Sequence, residues 1–541
     1  MLCCYVKESR QLRMLNKAER TTRAVRVALA ESISSLLVRP WLPWIASAVV
    51  IIVYGTYLFV TGHHLLVNDF LGHVWMAIEE REGGLGSSTN VVIPAGYPIL
   101  LNLLHVFGLQ YMTAGRLLTL LAAIQLLALV WSAASKLGST HWAGPLAWVA
   151  TATSYHFMLT VAAPLPDLVA LSMSMPLIVL ALSPNRSLIS LVLTAGLSGL
   201  ACGVRYNFLQ SIVPLSILLV LVAHPIPWQQ RGREALAIVA GLVLGLLPEI
   251  VFALRIGHIP FQNASRYYLT LLVGETDYLM TGTQLINMPS TLDYTMLHIN
   301  KILYVAGKAY LQMALIFILA PAAVWWVTSK MGKLIHQPRL GSRTRRCLTA
   351  LLIFEAVLML PISLRQPLPY YVVPMLSTFA FIIVAVPLAR LIEGRKSFAI
   401  ALIIILAIAS TLQVRSVLSV LNNYLKRSYN SVIATELRDL GIRDSAEVLN
   451  LVAPFELYWP YGDRAPLFYY TIKEPGWLAL TNTLKQKRPF IYEITAENLK
   501  RFHVVLTPPI SSELKRKFFP MFHLVKQIGF VQIYHSASVS P

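Results

Sequence analysis

Two acids and three arginines stand apart in this 541-residue chain, because each lies at or near the edge of an apolar run. Asp69 follows the run WIASAVVIIVYGTYLFV in the stretch LLVNDFLGHVW, and Asp167 opens another in PLPDLVAL. Arg205 joins two runs in CGVRYNFL, Arg365 joins two more in SLRQPLPYY, and Arg266 lies in the polar stretch NASRYYL. Ionisable groups at such places are costly, so they line a polar cavity or pair with one another. The two residue types divide a reaction between them. A guanidinium stays charged, and its planar fork binds phosphate through parallel hydrogen bonds. A carboxylate takes the proton of an attacking hydroxyl. Together they suit displacement of a phosphate leaving group by a hydroxyl. No Gly-rich phosphate loop, GxSxG elbow or HExxH stretch in the sequence argues for another reaction.

Each residue also has a plainer role open to it. Asp69 is placed to cap a helix or to pair with Arg81, and Asp167 to act as N-cap of the run it opens. Arg205 and Arg365 suit snorkelling toward a membrane surface. Glu79, Glu80 and Glu82 read as the solvated face of an amphipathic helix, and His73 shares a helical face with Asp69, the spacing of a metal-ligand pair. Two further acids lie inside apolar runs. Glu249, near the end of its run, reaches the same region as Asp69, whereas Glu355 is expected to hydrogen-bond a neighbouring helix.

The elements that must position these residues follow from composition. Hydrophobic residues make up 56% and charged residues 13%, against roughly 45–50% and about 25% in soluble domains, which indicates a polytopic membrane protein. Its four cysteines show no CxxC pair and no metal-site spacing. About 20 apolar residues cross a bilayer core, and eleven spans are predicted, at residues 42–62, 114–134, 142–162, 167–183, 187–203, 207–224, 235–254, 304–327, 347–364, 369–389 and 397–414. The Lys and Arg of the N-terminal tail and of alternate loops exceed the acids there, so the positive-inside rule assigns that side to the cytoplasm. Most of the net charge of +20 is thereby a topology signal and no argument for nucleic acid.

The chain divides into a basic cytoplasmic tail (1–40), a transmembrane domain (41–414) with outer loops at 63–113 and 255–303, and a C-terminal domain (415–541). In the last, AEVLNLV, RFHVVLTPP and GFVQIYH read as strands of an extracytoplasmic α/β unit. Asp69, Asp167, Arg205, Arg266 and Arg365 then all fall on the outer side. Outside the membrane there are no nucleotide sugars, so a transferase working there draws its sugar from a lipid phosphate.

The ordered motifs VNDF, IPAGYPILLNLLHVFG, AGRLLTLL, PLPDLVAL, GLACGVRYNFLQSIVPL, GLLPEIVFALRIGHIPF and RQPLPYYVVPML resemble the GT-C superfamily of membrane glycosyltransferases. The likeness is to the branch of protein O-mannosyltransferases and aminoarabinose transferases, from about residue 40 to the end. The resemblance implies a hexosyl- or pentosyltransferase in the cytoplasmic (inner) membrane, using a polyprenyl-phosphate sugar and an extracytoplasmic acceptor. It makes Asp69 the catalytic base and Asp167 the second acid of the cavity. Arg205 and Arg365 match positions near the lipid phosphate, with Arg266, Glu249 and Tyr97 as further binding candidates. Two features depart from the family. Asn68 stands where a second acid is common, so a divalent metal is not indicated, and no Lys or Arg directly precedes Pro94, which leaves the phosphate-holding cation open. The rival readings are a transporter or lipid-linked sugar flippase, which would show repeated halves and a midplane site, and a non-catalytic protein that retains the fold.

Overall fold

The computed structural model describes residues 37, 39–61, 68–85, 94–138, 140–224, 226–257, 296, 299–334, 340–365, 373–394, 396–427, 429–442, 448–450, 470–471, 492–493, 502–507, 515–516, 520–528 and 531–536. Helix occupies each of the eleven predicted positions. The first half comprises α1 (Leu42–Thr61), α2 (Asn68–Gly83), α3 (Gly96–Val106), α4 (Tyr111–Leu137), α5 (Ala143–Ala152), α6 (Tyr155–Ala162), α7 (Pro166–Ala181), α8 (Leu188–Val204), α9 (Asn207–Ala223) and α10 (Trp228–Ile256). Then come α11 (Ile299–Ala314), a π-helical turn at Leu315–Leu319, α12 (Ala320–Leu334), α13 (Ser342–Arg365), α14 (Val373–Gly394) and α15 (Lys396–Arg427). Among the described residues five helices are long and apolar enough to cross a membrane alone, or six if the bent pair α6–α7 is one span. The chain is a multi-pass membrane protein.

The third predicted span is not one helix. α5 stops at Thr153, whose hydroxyl donates back to the Val149 carbonyl, and Ser154 restarts the chain as N-cap of α6 by accepting the Phe157 N–H at 3.3 Å. Pro164 disfavours helix in the residue before it, while Pro166, with φ preset and no N–H to satisfy, begins α7. α6 and α7 therefore meet at a bend of 115°. This break puts the first turn of α7, and with it Asp167, at a defined corner.

Small residues set the tightest helix contact. A Cβ added to Gly245 of α10 would collide with the Gly196 carbonyl of α8, and one added to Gly199 would collide with the Leu242 carbonyl. Without side chains the two backbones come together, as helices in lipid do where glycine recurs on one face. At one pole of the bundle Arg343, at the start of α13, donates to the Ala223 carbonyl at 3.1 Å and to the Leu182 carbonyl, satisfying the C-terminal ends of α9 and α7. Arg186 pairs there with Glu234 at 2.6 Å, both side chains buried.

α15 runs through residue 415 to Arg427, so the expected domain boundary lies inside a helix. Beyond it, α16 (Tyr429–Asp439) packs through Ile433 and Leu437 on a four-stranded sheet of order β1-β4-β6-β5. β1 (Val448–Asn450) runs parallel to β4 (Val504–Thr507), and β6 (Val531–Ser536) antiparallel to both β4 and β5 (Phe522–Ile528). A separate parallel pair joins β2 (Tyr470–Thr471) and β3 (Tyr492–Glu493). The three predicted strands are β1, β4 and β6.

Candidate active site

The opposite pole brings together Asp167, Arg205, Tyr97 and Glu249 of the residues singled out in the sequence. Asp167 lies in the first turn of α7, after Leu165 as N-cap and Pro166. It is therefore not the cap itself, although its charge suits the positive end of the helix. Its Oδ1 accepts from Arg205 Nε at 3.0 Å, with both side chains buried. Arg205 terminates α8 in an extended conformation, its N–H bonded to the Ala201 carbonyl at 2.9 Å. At 8% exposure it does not snorkel toward a surface. Deleting one partner of such a buried pair costs about 3–5 kcal/mol, because the other charge is left unpaired.

Tyr97, in the first turn of α3, ties this pair to α2. Its hydroxyl donates to the Pro164 carbonyl at 3.0 Å, just before α7. Burial, and to a smaller degree the Asp167 charge, push its phenol pKa up, so it remains a donor. Phe70 and His73 of α2 both set their rings edge-on to it, with centroids 6.4 and 5.1 Å away. Phe70 also lies so close to Gly115 of α4 that a Cβ there would sit 2.5 Å from its ring. Asp69 is the second residue of α2, adjacent to Phe70, so the helical turn that carries it is the one anchored against Tyr97 through Phe70 and His73.

Glu249 of α10 ties the start of α3 to the α8–α9 junction. Its Oε2 accepts the Ala95 N–H at 3.0 Å, and its Oε1 accepts the Tyr206 hydroxyl. Gly96 makes this approach possible, since a Cβ there would lie 2.6 Å from the Gly203 carbonyl group of α8. The expected binding residues Tyr97 and Glu249 thus both engage protein partners, and they fix the walls around Asp167 and Arg205. Tyr206 escaped the sequence reading; its signal was its place beside Arg205 at a helix junction.

Two more of the plainer readings fail. Asp69 and Arg81 are twelve residues apart on one helix, about 18 Å along its axis, too far for an ion pair. Arg81 instead donates to His105 Nε2 at 2.6 Å and lies over the Tyr111 ring. Glu80 is 6% exposed and does not belong to a solvated face. Glu355 is buried, at 0% exposure. Arg365 is the last residue of α13. Its side chain and that of Asp69 lie outside the described residues, as does the whole of Arg266. Among the described residues no three His, Cys, Asp or Glu side chains are grouped to hold a metal ion.

Comparison with known proteins places this arrangement in a fold. No family model and no curated protein matches the chain. Among solved structures, the chain is similar to ArnT from Cupriavidus metallidurans bound to undecaprenyl phosphate, at 14% identity and a TM-score of 0.54, covering 92% of this chain and 98% of that one. The apo state of the same protein aligns at 13% identity and a TM-score of 0.51, over 89% and 97% of the two chains. At that identity the likeness is one of fold: the GT-C architecture expected from the ordered motifs is present across most of the chain.

Proposed function

We propose that this protein is a membrane glycosyltransferase that moves a sugar from a polyprenyl-phosphate donor to an acceptor on the extracytoplasmic side. The observation that carries the reading is the buried Asp167–Arg205 pair beside the start of α2, within a fold shared with a protein solved bound to undecaprenyl phosphate. Asp69 is the general base. It takes the proton of the acceptor hydroxyl as the oxygen attacks the anomeric carbon, the bond to the lipid phosphate breaks, and the configuration inverts. Arg205 attracts the phosphate as negative charge grows on it. Asp167 holds that guanidinium in position and faces the same cavity. Arg365 and Arg266 supply further cationic contacts, and Tyr97 and Glu249 keep the walls of the binding site in register.

The protein resides in the inner membrane with its N-terminus in the cytoplasm and its C-terminal domain outside, where acceptor selection takes place. The test is direct. Purified protein in lipid discs, given an undecaprenyl-phosphate sugar, should release undecaprenyl phosphate faster when an acceptor extract from the cell envelope is added. Binding of the lipid with no consumption under any acceptor, together with its movement between leaflets, would support the flippase reading instead.

A further inference from the structure

His73 is a buried polar side chain for which the internal packing gives no complete account. It is 1% exposed, and its Nδ1 has no hydrogen-bond partner among the described residues. A buried nitrogen in this state carries the desolvation cost of an unmade bond. The feature is also well placed. His73 follows Asp69 by one helical turn, about 6 Å of rise on the same face of α2, and its ring stands edge-on to Tyr97.

Its charge state narrows what it can bind. Burial, and then the Arg205 charge, push the imidazole pKa down to about 3, so it is neutral at physiological pH. It does not attract an anion as Arg205 does. A neutral imidazole offers one N–H and one bare nitrogen, and a hydroxyl, which both donates and accepts, matches either tautomer.

We infer that His73 is a substrate-binding residue: its Nδ1 takes a sugar hydroxyl, of the donor or of the acceptor, and thereby selects which sugar is used. The inference rests on the transferase reading above. It also accounts for a polar ring at a place where an apolar one could pack against Tyr97 with no nitrogen to satisfy.

The test pairs variants with deoxy sugars. His73→Phe keeps the ring and the edge contact while removing both nitrogens; His73→Asn is smaller but keeps a donor and an acceptor. Kinetics in lipid discs would use undecaprenyl-phosphoryl hexoses and pentoses and their monodeoxy analogues as donors, and alkyl hexosides and pentosides and their monodeoxy analogues as acceptors. The wild type should use one deoxy analogue less well than its parent by about tenfold or more in kcat/KM. His73→Phe should treat that analogue and the parent alike, and His73→Asn should restore part of the preference. The series in which the preference vanishes identifies donor or acceptor as the source of the hydroxyl. If His73→Phe does not fold, His73→Asn carries the comparison: a fall of about threefold or more in the preference supports the inference, and no change overturns it. An active wild type that uses every analogue equally, or a folded His73→Phe that keeps all wild-type preferences, overturns the inference and leaves the transferase reading standing. A wild type that consumes none of the donors overturns both.

Discussion

At the scale of residues, Asp167 and Arg205 hold each other before any substrate is present, and this shapes what their substitution does. Asp167→Leu and Arg205→Met should each destabilise the protein by about 3–5 kcal/mol, while the two together should cost less than the sum. Thermal unfolding in discs measures this; additive losses would mean that the pair is not coupled. His73 adds a pH dependence. Its folded pKa of about 3 lies below the 6.5 of the free side chain, so between those values the unfolded chain binds the extra proton. Stability from this group is complete above pH 6.5 and declines as pH falls toward 3. Unfolding temperatures from pH 7 to 4.5 should therefore fall more steeply in the wild type than in His73→Phe, and parallel curves would refute the assignment. Asp167 and Arg205 were legible in the sequence because a charge at an apolar edge needs an explanation. His73 stood out in the sequence only for its spacing from Asp69, since a histidine in a mixed helix gives no sign of whether its nitrogens are satisfied. Glu80 was misread for a related reason: a polar run suggests a wet face, but α2 packs against α3, where Asn102 donates to the Ala77 carbonyl at 2.8 Å.

At the scale of elements, the site depends on backbones that approach closely. α8 carries Arg205 at its end and α10 carries Glu249, and the glycine contact between them sets the distance across which Glu249 meets Tyr206 and Ala95. Gly245→Val should force these helices apart at a cost of about 1–3 kcal/mol, and should raise KM for the lipid donor through the displaced Arg205. Valine at position 236, on the lipid-exposed flank of the same helix where Leu236 now lies, should leave both unchanged. Equal behaviour of the two variants would remove the close contact from the account. Helix positions were readable from apolar length alone. The interruption of the third span was not, because 142–162 is apolar enough on average to read as one span; the break comes from Ser154 accepting a backbone N–H, a local bond that hydropathy does not register.

At the scale of the whole molecule, the bundle has two chemically distinct poles. One holds Arg186, Glu234 and Arg343, bonded to one another's elements and to helix C-termini; the other holds Asp167, Arg205, Tyr97 and Glu249. Arg186 and Arg343, which belong to the basic loops, lie at the first, whereas the arrangement within the second depends on long-range packing that no single stretch encodes. The account places the second pole and the C-terminal sheet outside. A reporter active only in the cytoplasm, fused after Val539, should be silent, and its activity would reverse the side assignment. The central claim concerns the acid that begins α2. Asparagine keeps the size of Asp69 but cannot take a proton near neutral pH. With purified protein in lipid discs, Asp69→Asn should bind an undecaprenyl-phosphate sugar nearly as the wild type does and lose its acceptor-dependent consumption, whereas Arg205→Ala should lose both. If Asp69→Asn consumes the donor at the unmutated rate, Asp69 is not the base, and the mechanism proposed for this protein is wrong.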